Sequence, residues 1–105
     1  MDLTMTKNLN LKDAVPYQDG EIVREVLMSN PSTTAVVMSF DKNIAIRNVK
    51  HTGEGLFVML EGEVDLQING ESHVLKAMEY MVVPAGAEHT VHALKRSKFM
   101  VTLSK

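Results

Sequence analysis

The chain has 105 residues, a formal net charge of −2, 45% hydrophobic and 23% charged residues, and no cysteine. That length holds one domain around one continuous core and is too short for two. The charge balance lacks the clustered Lys and Arg excess that nucleic acid or anionic lipid requires, and the absence of cysteine excludes disulfides, thiolate ligands and a cysteine nucleophile. The first ten residues, MDLTMTKNLN, have neither the basic start nor the apolar run of a secretory signal. No stretch reaches the roughly 18 to 20 apolar residues of a membrane span, so a cytoplasmic protein with neither nucleic-acid nor membrane partners is expected.

Residues 1–20 are polar with scattered leucines, and Pro16 and Asp19-Gly20 mark them as an arm with turns, frayed at its extreme end. The domain proper is expected over 21–105. Residues 21–28, EIVREVLM, suit a short helix or a strand, and their β-branched residues before the Asn30-Pro31 stop favour a strand. Residues 33–40, TTAVVMSF, alternate through Thr34, Val36, Met38 and Phe40 and predict a second strand, followed by a turn at Asp41, Lys42 and Asn43. From Ile44 to His51 the alternation resumes; if that strand is regular, Arg47, Val49 and His51 share one face. A guanidinium there would suit an anion, but a rim ion pair is the commoner role, and Arg47 is not placed in the site.

Two glycines at 53 and 55 interrupt the run before the apolar strand Leu56 to Leu60, which ends at Glu61-Gly62. Val64, Leu66 and Ile68 then alternate up to Asn69-Gly70, a strong signal for a two-residue hairpin turn because both residues tolerate positive φ. Such a loop pairs Ile68 with Glu71, Leu66 with His73 and Val64 with Leu75, which puts His73 on the apolar face as a structural residue. YMVVP at 80–84, His89 to Leu94 and Lys98 to Leu103 supply the remaining strands. Lys95, Arg96 and Lys98 read as a solvated turn. Eight or nine short strands with little helix predict an all-β antiparallel sandwich or barrel, and eight methionines with no tryptophan predict a soft, adaptable interior.

Two blocks carry a resemblance. HTGEGLFVMLEGEV at 51–64 and VVPAGAEHTVH at 82–92 resemble the two motifs of the cupin superfamily, of the small single-domain, cupin 2 conserved barrel type. Aligning the first motif on Gly62 sets its glutamate position at Gly55, its two histidines at His51 and Val49, and its leading glycine at Asn43. In the second motif Pro84, Gly86 and His89 match, while Met78 stands for the leading glycine and Ala93 for the asparagine. The resemblance implies a double-stranded β-helix, the jelly-roll barrel.

It also implies a divalent ion (iron, nickel, manganese or zinc) inside the barrel, held by three histidines and a glutamate, of which this chain keeps only His51 and His89. Glu54 and His92 are candidate recruits if bulges turn them inward. The expected ligand pocket comprises His51, Phe57, Met59 and His89. No serine sits in a nucleophile elbow, no glycine-rich loop opens a helix for phosphate, and no paired carboxylates are evident. The expected function is binding of a small organic ligand in the barrel cavity, with or without weakly held metal. The alternative is a metal-dependent enzyme of isomerase, epimerase or dioxygenase type at the same site. The apolar first strand suits a homodimer interface.

Overall fold

The computed structural model describes residues 8–105 and contains nine strands. They are β1 (Ile22–Ser29), β2 (Thr33–Phe40), β3 (Ala45–Val49), β4 (Gly55–Glu61), β5 (Glu63–Ile68), β6 (Glu71–Lys76), β7 (Tyr80–Val83), β8 (His89–Ala93) and β9 (Ser97–Ser104). A five-stranded sheet in the order β1-β2-β9-β4-β7 faces a four-stranded sheet in the order β3-β8-β5-β6, and every pairing is antiparallel. This is the expected jelly-roll barrel, and the residues 21–28 that suited either helix or strand form the strand β1. No described helix is long and apolar enough to cross a membrane.

The hairpin register is the one that a two-residue loop dictates. Ile68 pairs with Glu71, Leu66 with His73 and Val64 with Leu75 across a turn whose Asn69 and Gly70 have φ of 50° and 83°. His73 is half-buried opposite the fully buried Leu66, with Nε2 3.8 Å from Glu71 Oε1. Positive φ recurs at the motif positions whether or not glycine is retained there: Gly62 at 88°, Gly86 at 76°, Asn43 at 68° and Met78 at 71°. Gly62 allows nothing larger, because a Cβ would stand 2.3 Å from the carbonyl oxygen of Arg96.

Inward-facing residues of both sheets build the core, with Phe99 at its centre. Its ring stacks on Phe57 at 4.4 Å and tilts against Phe40 at 5.0 Å, and such pairs add roughly 0.5–1.5 kcal/mol each beyond the area they bury. A second, smaller cluster lies on the outer side of the five-stranded sheet, where the arm packs Val15 over Val37 and Leu60. This is why β2 is buried on both faces rather than alternating. A 3₁₀ turn at Leu11–Ala14, capped by Asn10, shapes the described part of the arm. Beyond it, Tyr17 donates to Glu61 Oε2 at 2.7 Å and Ser39 donates to the carbonyl of Pro16 at 2.6 Å.

The basic group at 95–98 fastens this arm. Arg96 pairs with Asp19 and Asp41, and Arg96 and Lys98 both lie over the Tyr17 ring. Burial and the neighbouring Glu61 carboxylate push the Tyr17 hydroxyl well above its ordinary range. The expected fraying at the extreme end of the arm falls on residues 1–7, outside the described residues.

Candidate functional site

One end of the barrel is open as an apolar cavity of about 180 Å³. Val36, Met38 and Phe40 of β2, Phe57 of β4, Val83 of β7, Val91 of β8 and Phe99, Val101 and Leu103 of β9 supply hydrocarbon walls. Three polar side chains interrupt them: Arg24, His51 and His89. No Asp or Glu is among the lining residues.

Local structure explains how the two histidines meet. His89 opens β8 and pairs with Val49 at the end of β3, so the segment leaving β3 passes directly beside it. That segment, 50–54, is tied down at two points. Gly86 donates its N–H to the carbonyl of His51 at 2.8 Å, and Gly53 lies so close to β9 that a Cβ would stand 1.6 Å from the Ser104 carbonyl oxygen.

The imidazole centroids are consequently 5.4 Å apart, tilted by 41°. His89 is buried, with Nδ1 3.1 Å from the Ala87 carbonyl; Nδ1–H donates there, and Nε2 is the nitrogen left for the cavity. Partial burial, and then the proximity of His89, hold His51 below the ordinary histidine range, which favours the neutral ring.

The structure corrects the expected site in four places. First, β3 is not regular: its register shifts between Ile46 and Val49 with Asn48 at φ 56°, its N–H donating to Thr90 Oγ1. Ile46, Val49 and His51 therefore line the cavity while Arg47 is exposed, so Arg47 does not share their face. Second, Met59 is fully buried two residues deeper along β4 than Phe57, in the packed core and not among the cavity-lining residues.

Third, Glu54 is exposed and its backbone is held outward by Ser104, whose Oγ accepts from the Glu54 N–H while the Ser104 N–H donates to the Glu54 carbonyl. Fourth, His92 lies outside the cavity between Ala45 and Asp65, whose carboxyl is lowered by Gln67, Ser72, His92 and the backbone of His73 against the opposing effect of burial. Neither Glu54 nor His92 is recruited to the cavity.

A protein-held metal centre therefore does not fit these residues. The positions that the resemblance assigns to the other two ligands are Val49 and Gly55, both in the cavity wall and neither a donor. Among the described residues no three His, Cys, Asp or Glu side chains converge. Two imidazoles would leave most of the coordination shell to water or to a bound molecule.

Sequence reasoning passed over Arg24. The signal was available, because Ile22 and Arg24 are two apart and therefore share a face; however, residues 21–28 were also open to a helical reading, in which that relation disappears.

Known proteins share this fold. Residues 36–103 match the family model described as Cupin domain, a span that is more than half of the chain. A cupin 2 conserved barrel domain protein from Leptotrichia buccalis is 32% identical, with a TM-score of 0.89 over 92% of this chain and 47% of that one, so this chain spans about half of that protein's length. An RmlC-like cupin protein from Desulfovibrio desulfuricans is 27% identical over 93% of this chain and 95% of its own, with a TM-score of 0.82. A conserved Streptococcus pyogenes protein of unknown function shares the fold at 22% identity, with a TM-score of 0.89 over 94% of this chain and 87% of that one. No curated protein sequence is significantly similar.

Proposed function

This chain belongs to the Cupin domain family, and on that premise we propose that it binds a small organic ligand in the barrel cavity beside His51, Phe57 and His89. The observation that carries this reading is the cavity itself: hydrocarbon walls interrupted by only three polar side chains. Few polar groups on apolar walls are the pattern of a small-molecule site, in which burial supplies affinity and the polar groups set orientation. A mean interior without voids would be the expectation for a barrel whose only task is structural, since each unfilled volume costs packing energy.

One observation favours a second reading, a metal-dependent enzyme of isomerase, epimerase or dioxygenase type. Imidazoles with centroids 5.4 Å apart are close enough to reach a common iron, nickel, manganese or zinc ion at metal–nitrogen distances of about 2.0–2.1 Å. Against it stand the missing carboxylate and the positive charge of Arg24 at the same cavity. We further propose that the protein works as a homodimer, which the exposed apolar residues Val26, Leu27 and Met28 on the edge strand β1 support.

The test is a screen of organic fragments by ligand-observed NMR on untagged protein, beside a Val101→Phe variant that fills the cavity and is checked for retained folding. Fragments that bind the parent and not the filled variant support the cavity reading; binding indifferent to Val101→Phe refutes it. Near-stoichiometric metal in the untagged protein, lost in both His51→Ala and His89→Ala, would replace it with the enzyme reading.

A further inference from the structure

The cavity contains a charge that the sequence reading did not assign to it. Arg24 comes from β1, the edge strand of one sheet, while Ile46 and Val49 come from β3, the edge strand of the other, and all three line the cavity. Arg24 thus stands, solvent-exposed, where the barrel's two sheet edges line one cavity. Among the described residues every ion pair is made by another side chain, at Lys12, His73, Lys95 or Arg96, and none involves Arg24. The lining contains no carboxylate to balance it. A guanidinium exposed at the rim of a hydrocarbon-walled cavity whose lining holds no carboxylate is complementary to an anion and opposed to a divalent cation.

We propose that the ligand of this cavity is a small carboxylate with an apolar body, its carboxylate bound by Arg24 and its body enclosed by Phe40, Phe57, Phe99 and Val101. The inference rests on the small-ligand reading of the same cavity and names the ligand's chemical class. Two arguments select a carboxylate over a phosphoryl group. A single guanidinium offers the planar two-point donor pair that matches one carboxylate, whereas the other polar lining groups are two imidazoles, of which His51 is held below the ordinary histidine range by burial and then by His89.

Beyond these two imidazoles the walls offer no further polar side chain for a phosphate's remaining oxygens. Size sets the body. A cavity of about 150 Å³ lined by Leu, Ile and Phe is known to take benzene, so about 180 Å³ here suits a body the size of one six-membered ring. The two imidazoles, His89 through its free Nε2, are left to orient any second polar group.

The experiment compares benzoate with benzyl alcohol, which has the same ring and no charge, by NMR titration at low ionic strength. The proteins are the parent, Arg24→Met, Arg24→Lys and the cavity-filled Val101→Phe. Expected is benzoate binding at least about tenfold tighter than benzyl alcohol to the parent, a preference that a charge-assisted two-point contact supplies. Arg24→Met should remove that preference while leaving benzyl alcohol within about twofold, and Arg24→Lys should restore it in part.

Equal affinities for the two probes in the parent, or a benzoate preference that survives Arg24→Met, overturns the carboxylate assignment; if both probes are nonetheless lost in Val101→Phe, the cavity reading stands. Absence of binding by either probe overturns the assignment as well. Fragment binding that ignores Val101→Phe overturns the cavity reading beneath it.

Discussion

Met78 is a non-glycine residue held at φ 71°, in the turn where the Glu79 N–H donates to the Lys76 carbonyl at 3.0 Å and the Met78 N–H donates to the Met59 carbonyl at 2.8 Å. The cupin motif has glycine there, and the backbone has kept glycine's conformation without glycine. An L-residue with a Cβ costs roughly 1–2 kcal/mol in this region relative to glycine. Replacing it by glycine also frees the unfolded chain, which costs about 0.5–1 kcal/mol. The lost side chain weighs little: Met78 is 77% exposed in the fold, close to its exposure in a realistic unfolded chain.

Met78→Gly should therefore stabilise the protein by up to about 1.5 kcal/mol, centred on about 0.75, a rise of roughly 3–6 °C in Tm for a domain of this size. Met78→Ala keeps the Cβ and the strain, so it should not stabilise. Urea denaturation of the three proteins measures the differences. A destabilising Met78→Gly, or an equal gain from Met78→Ala, would refute the strain argument.

Two further predictions concern the tethers of the site and of the arm. Gly53→Ala places a Cβ 1.6 Å from the Ser104 carbonyl oxygen, so the segment bearing His51 must lift away from β9; a loss above about 3 kcal/mol is expected in denaturant titration, and an unchanged midpoint would show that the close approach does not exist. Asp41 is held down to about 2 from its ordinary 3.8 by the Gly20 N–H, then by Arg96 and the Lys42 N–H. Because the unfolded carboxylate takes up its proton first, this contribution is present in full above about pH 4 and lost as pH falls from about 4 towards 2. The Tm difference between the parent and Asp41→Asn should shrink across that window, and a constant difference would count against the ionised network.

Most of the fold was legible because its signals are local. Alternation with period two marked the strands, and Asn69-Gly70 set the register of β5 against β6 through the positive φ that both residues accept. Asn43 and Met78, which the motif spacing set at glycine positions, have positive φ in the structure. His51 and His89 were paired by the same spacing.

The composition of the cavity was decided elsewhere. Whether a side chain faces inward depends on strand irregularities and on how two sheets close. The bulge before Val49 is anchored by Thr90, 42 residues away, and it is this that expels Arg47. Glu54 is turned outward by Ser104 at the far end of the chain, and the depth of Met59 is set by where the Phe99 cluster fills the barrel. Arg24 becomes a cavity residue only because the edges of two sheets, separate in sequence, come together around one space. The sequence alone determined which segments are strands and where they turn, through propensities and turn chemistry confined to a few neighbouring residues. Contacts between distant segments decided what the barrel encloses, and with it the charge that a ligand would meet.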